Sequence, residues 1–129
     1  MLERFSSQSK VVPVEMLDTD VLGELRALGD DDLRDLVGIY FADVALQLDN
    51  LRKAMGAGDG AAAGEAAHRV KGASLSIGAA RVGSIASELE IAGKAGDFGR
   101  CDGLLETLEA ELGPTRRALS AELSVELSG

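Results

Sequence analysis

Apolar residues recur along this chain at intervals of three and four and seldom alternate. The clearest run is Leu33, Leu36, Val37, Tyr40, Phe41, Val44, Leu48, Leu51 and Met55. Residues spaced in this way share one face of an α-helix, so the run predicts an amphipathic helix of about six turns. Asp30, Asp31 and Asp32 stand ahead of it and are expected to supply its cap and an acidic first turn. Gly56, Gly58, Asp59 and Gly60 predict the loop that follows. Upstream, Val21, Leu22, Leu25 and Leu28 predict a short helix from the N-cap Asp18 to about residue 28, ended by Gly29. Downstream, a third helix is expected over residues 61–77 and a fourth over 80–95, with Gly78 as the break between them. Val82, Ile85, Ala86, Leu89 and Ala92 face one way on the fourth, and Gly93, Gly96 and Asp97 mark its end. From Phe98 onward, Cys101, Leu104, Leu105, Leu108, Leu112, Leu119 and Leu123 keep helical phase. Pro114 interrupts that stretch, removing one hydrogen bond and crowding the preceding turn. The preserved phase predicts one long bent helix, with a break and a small fifth helix as the alternative.

Four substantial amphipathic helices with short connections predict an all-α fold: an antiparallel four-helix bundle with a short extra N-terminal helix. Residues 1–16 are expected to form a tail, 17–124 the bundle and 125–129 a frayed end. Within the tail, Val11-Val12-Pro13-Val14 should be extended, because proline restricts its predecessor. With 129 residues the chain suits one domain and one core. Aromatic residues make up only 3% and tryptophan is absent, so aliphatic side chains and alanine must fill that core. Such a core fits closely packed helices better than a sheet.

The charge balance narrows the partners. A formal net charge of −9 repels nucleic acid, and no stripe of Lys and Arg offsets it. The same balance disfavours an anionic membrane surface. No segment approaches the ~20 apolar residues that span a bilayer, and residues 1–10 lack an apolar run of signal-peptide length. Cys101 is the only cysteine, so no disulfide forms within the chain and a reducing compartment is expected. These features together make the cytoplasm the expected compartment. One histidine and one cysteine are too few for a usual zinc site, and no phosphate-binding G-x-x-x-x-G-K-[ST] loop is present. Nucleotide cleavage by the chain itself is therefore not expected.

The single histidine, His68, carries the remaining chemistry. On a wheel of about 100° per residue, Ala63, Ala66, Val70, Ala73 and Ile77 form the core side of the third helix. His68 lies opposite them, toward solvent. Lys71, Gly72 and Leu75 share its side, with Gly64 and Glu65 one turn earlier. Lys71 places a cation near the imidazole. Gly72 removes the side chain that would stand beside the ring, although a mid-helix glycine costs about 0.5–1 kcal/mol relative to alanine. Leu75 is apolar on an exposed face, which marks a docking patch. Imidazole is a good nucleophile near neutral pH, and its attack on phosphorus forms an N–P bond that readily passes the group on. Phosphoryl transfer depends mainly on positioning and charge stabilisation. Lys71 would offset charge on the bound group, while Mg²⁺ and the acceptor carboxylate would come from a partner.

His68-Arg69-Val70-Lys71-Gly72-Ala73-Ser74, followed by Ile77-Gly78-Ala79, resembles the signature of histidine phosphotransfer (HPt) domains. Ser87-Glu88-Leu89-Glu90-Ile91-Ala92, Ala95-Gly96-Asp97 and Asp59 extend the resemblance, which covers roughly residues 20–123. It implies a phosphoryl carrier rather than an enzyme, with a phosphorylated His68, a supporting cation at Lys71 and clearance for the partner at Gly72. The implied partners are receiver domains of response regulators or hybrid histidine kinases, which bring their own Mg²⁺; no resident cofactor is expected. Leu75, Gly64, Glu65 and Arg69 are candidate docking residues, and Ser76, Arg81 and Glu90 are secondary candidates. Ser74 and Ser76 are expected to bond the backbone or cap the helix and Cys101 to be a small buried hydrophobe; Arg69 and Arg81 are expected to solvate a face, with added positive potential near the site as the alternative, and Glu90 to be a solvated or paired surface carboxylate, with orientation of the imidazole from the neighbouring helix as the alternative. Two other readings remain: a helical interaction module that passes no phosphate, and a phosphoryl-accepting domain excised from a larger histidine kinase. The intact His68, Lys71 and Gly72 weigh against the first; Met1 and the short tail weigh toward a free-standing protein.

Overall fold

The structure, a computed structural model, describes residues 15–123. The expected extended segment Val11-Val12-Pro13-Val14 and the expected frayed end at 125–129 lie outside the described residues. Within them the chain is helical: α1 at Thr19–Leu25, a 3-10 turn at Arg26–Leu28, α2 at Asp30–Gly56, α3 at Gly60–Ser76, α4 at Ala80–Lys94 and α5 at Phe98–Leu123. These agree with the predicted helices to within a residue or two. α5 runs unbroken through Pro114, so the apolar phase carries the helix past the missing N–H and no separate fifth helix forms. No described helix is long and apolar enough to cross a membrane.

The predicted apolar faces meet in one core. Leu22, Leu33, Val37, Val44, Leu51, Ala63, Val70, Val82, Leu89, Leu108 and Leu119 are buried and bring every helix into it. Neighbours in sequence pack against each other, α3 and α4 most extensively, and α2 meets α5 along a thinner seam. That seam is held by the ion pair of Arg52 with Glu109 and by the Arg116 guanidinium, 4.1 Å from the centroid of the Phe41 ring. Cys101 is buried as expected, and burial, then Asp97 and Asp102, push its thiol above the usual range. Ser74 departs from expectation: it is buried, and its hydroxyl lies 2.7 Å from the Tyr40 hydroxyl instead of capping a helix end. Burial raises the Tyr40 pKa to about 12, only partly offset by the Ser74 bond, so the phenol stays neutral and ties α2 to α3.

The same device reverses the chain three times. Gly58, Gly78 and Gly96 each take a left-handed backbone after a helix, with φ of 68°, 81° and 72°. Beyond each, an amide reaches back to the last turn: Asp59 N–H to Ala54 O at 2.9 Å, Ala79 to Ser74 at 2.8 Å, and Asp97 to Ala92 at 2.9 Å. This is the Schellman arrangement, which glycine adopts without steric cost. Two of these turns have the sequence Ala-Gly-Asp, and the aspartate at once caps the next helix. Asp59 accepts from Ala62 N–H at 3.0 Å and Asp97 from Arg100 N–H at 3.2 Å. The third turn seats the N-terminal helix: Asp18 N–H donates to Gly78 O at 2.8 Å, and the Asp18 side chain caps α1. The cap of α2 differs from expectation. Gly29, at φ 91°, occupies it with no side-chain bond, and Asp30, Asp31 and Asp32 fall in the first helical turn, where they complement the helix dipole.

A Cβ at position 78 would sit 3.0 Å from Leu22 Cδ2 and 3.2 Å from Asp18 O, in addition to the strained φ. Gly78→Ala is therefore expected to lower stability by about 1–2 kcal/mol in urea unfolding. Gly103→Ala, at an open helical site, should raise it by about 0.5–1 kcal/mol.

Candidate functional site

His68 lies at the middle of α3, eight residues from Gly60 and eight from Ser76. Its side chain is 64% exposed, and Ala63, Ala66, Val70 and Ile77 are buried on the opposite side, as the wheel required. The ring is not free to turn. Its Nδ1 lies 3.3 and 3.2 Å from the two carboxylate oxygens of Glu90, which α4 presents across the helix crossing. Glu90 is only 13% exposed and gathers more than the histidine. Lys94 Nζ donates to it at 2.9 Å, and Lys71 Nζ stands 3.8 Å away. The Lys94 bond holds the Glu90 carboxyl below the usual carboxylate range; partial burial opposes this and the His68 bond adds to it. The pair thus persists on mild acidification and is lost only as pH falls through that lowered value.

With an ionised Glu90 accepting at Nδ1, neutral imidazole carries its proton there, and the lone pair is left on Nε2 of a side chain that is mostly exposed. Gly72, one turn on, has no atom of the fold within 4 Å of where a Cβ would stand. Nothing inside the protein requires glycine at that position. Leu75 is 50% exposed, and its methyl group is accommodated by Gly83, where a Cβ would sit 2.9 Å from Leu75 Cδ2. A recess of about 210 Å³, lined by Ala61, Gly64, Glu65, His68, Glu90 and Lys94, opens beside the ring. Among the described residues no group of three or more His, Cys, Asp or Glu is placed to hold a metal ion.

The fold agrees with what comparison shows. The family model of the Hpt domain matches residues 35–118. The chain belongs to the Hpt domain family. A similar solved structure is that of histidine-containing phosphotransfer protein B (HptB) from Pseudomonas aeruginosa PAO1. It is 30% identical over 84% of this chain and 95% of that one, with a TM-score of 0.75. No curated protein matches.

In this Hpt bundle the structure revises several expectations. Glu90 is paired, not solvated, and of the two readings given for it the structure has the one in which it reaches the imidazole from the neighbouring helix. Gly64 is buried instead of solvent-facing, because the stem of Lys94 crosses it: a Cβ there would meet Lys94 Cγ at 2.5 Å. Arg81 does not join the site, since its guanidinium lies 3.6 Å from Glu111 on α5. Arg69 and Glu65 remain exposed and pair with each other at 3.0 Å on the flank toward α2. Ser76 bonds the Gly72 carbonyl at 2.9 Å, the expected backbone role. Lys94 was not among the sequence candidates. Its i, i+4 spacing from Glu90 was the available signal.

Replacing Glu90 with alanine should release the ring. We expect ¹⁵N NMR of the neutral imidazole to show the proton predominantly on Nδ1 in the wild type and a shift toward Nε2 in Glu90→Ala. Identical ring nitrogen shifts in the two proteins would contradict the assigned hydrogen bond.

Proposed function

We propose that this Hpt protein accepts and donates a phosphoryl group on His68, in exchange with aspartate-bearing receiver domains of response regulators or hybrid histidine kinases. The family supplies the phosphotransfer role in a phosphorelay. The observation that supports His68 as its carrier is the ring's setting, with Nδ1 engaged by Glu90 and the side chain 64% exposed.

The reaction follows from that setting. The Nε2 lone pair attacks the phosphorus of an aspartyl phosphate; an N–P bond forms as the acyl O–P bond breaks, and the electron pair leaves with the aspartate carboxylate. The imidazole retains its Nδ1 proton and becomes cationic as the bond forms. Glu90 faces that developing charge, and Lys71, one turn from His68 on the same helix, supplies the cation for the phosphoryl oxygens. The return transfer reverses each step. The Mg²⁺ that such chemistry uses is assigned to the receiver, together with the acceptor aspartate. Gly72 gives that receiver clearance beside the ring and Leu75 gives it an apolar contact. The intact histidine, its paired carboxylate and the unoccupied space above Gly72 favour this reading over an interaction module that passes no phosphate.

Incubation with a ³²P-labelled phospho-receiver should transfer an acid-labile, base-stable label to the wild type and none to His68→Gln. Equal labelling of the two proteins would place the site elsewhere. Gly72→Leu should keep the helical circular dichroism spectrum yet slow uptake by about tenfold or more, since small displacements of reacting groups are costly. Unchanged uptake would remove the clearance role.

A further inference from the structure

Glu90 poses a chemical problem for the histidine it holds. A carboxylate against Nδ1 orients the ring, but it also favours the imidazolium, which has no lone pair to attack with. The side chain that resolves this conflict is Lys94. Its ammonium lies 2.9 Å from Glu90 Oε2, closer than His68 at 3.2 Å from the same oxygen or Lys71 at 3.8 Å from Oε1. We propose that Lys94 is a positioning residue of the phosphotransfer site: it balances the charge of Glu90, so that the carboxylate orients His68 without holding it protonated.

Three further observations carry this. The first is how Lys94 is held. Its aliphatic stem lies across α3 where position 64 has no side chain; a Cβ on Gly64 would stand 2.5 Å from Cγ, 3.3 Å from Cε and 3.4 Å from Cδ. A flexible lysine on a surface has no need of such a channel. The second is the glycine packing around that channel. A Cβ on Gly60 would meet Gly93 O at 2.7 Å, and one on Gly93 would meet Gly64 N at 3.0 Å. α3 and α4 therefore touch through backbone one turn before His68, which brings Glu90 and Lys94 together onto the ring. The third is the distribution of charge. The charged groups around His68 are Glu65, Arg69 and Lys71 on its own helix and Glu90 and Lys94 on α4. Glu65 and Arg69 neutralise each other at 3.0 Å. Without Lys94, Glu90 would have only the more distant Lys71, at 3.8 Å, to balance it.

The proposal rests on His68 being the phosphorylated residue, and the test separates the two. The variants are Lys94→Met, which keeps the stem and removes the charge, and Lys94→Arg, which keeps the charge. Two readouts are taken from pH 5.5 to 9: the rate of phosphoryl uptake from a phospho-receiver, and the ¹H–¹⁵N signals of the imidazole, which need no phosphoryl donor. Loss of a positive charge at this distance in a largely solvated site should move the acid limb of the uptake profile, and the ring's titration, upward by roughly half a pH unit in Lys94→Met. On that limb, uptake should fall about threefold. The alkaline plateau should be retained, and Lys94→Arg should follow the wild type. A purely structural role for Lys94 would lower stability or lower the rate equally at all pH values. Superimposable ring titrations for wild type and Lys94→Met would overturn the proposal. If the wild type took up no phosphoryl group, the reading of His68 as carrier would fail, and the ring titrations would still decide whether Lys94 balances Glu90.

Discussion

The contact between α3 and α4 through Gly60, Gly64 and Gly93 is the constraint on which the rest of the site depends. Helices that meet through ordinary side chains stand about 8–10 Å apart. Glycine at the crossing lets backbone approach backbone, and the short carboxylate arm of Glu90 then reaches an imidazole on the neighbouring helix. Each of these glycines lowers the intrinsic stability of its helix. The bundle offsets that loss with a continuous aliphatic core and with turns that use glycine where a left-handed backbone is needed. Stability is thus spent at the crossing and recovered in the core and at the chain reversals.

This arrangement divides the work between two helices. In the proposed function α3 carries the nucleophile, the cation Lys71 and the gap at Gly72. α4 carries Glu90, which pairs with the ring, and Lys94, which pairs with Glu90. Neither helix is a site alone. The Hpt family match spans both, together with most of α2 and α5, but leaves out α1. α1 is tied instead to the turn between the two site helices, through Asp18 and Gly78. It steadies the connection that sets their relative rotation.

Much of this was legible in the chain. Leu33 through Met55 announced α2 because a helix face buried along its whole length leaves a periodic record. The exposure of His68 followed from the same periodicity, since its position is opposite Ala63, Ala66 and Val70. What could not be read was any fact that depends on the register between helices. A wheel places Gly64 beside His68, yet only the packed structure shows Lys94 lying over it. Glu90 could be named from the sequence as a candidate to orient the ring, but only the docked α4 decides between that role and a solvated carboxylate. Ser74 falls near the wheel's boundary between core and surface, and its burial depends on Tyr40 reaching across from α2. Arg81 is near the signature in sequence but points toward α5. The cap of α2 was misread for a local reason: three aspartates crowd the start of the helix, and the glycine before them takes the backbone angle that begins it.

The midpoint location of His68 has an electrostatic consequence. Reactive groups placed at the ends of helices draw on the aligned peptide dipoles, whose influence fades within the first and last turns. His68 is about 12 Å from either end of α3, beyond that range. The helix that carries it supplies rigidity and almost no field. The local potential is therefore written by a few side chains, chiefly Glu90, Lys71 and Lys94, and relatives sharing this backbone can retune the group's reactivity by exchanging those residues alone.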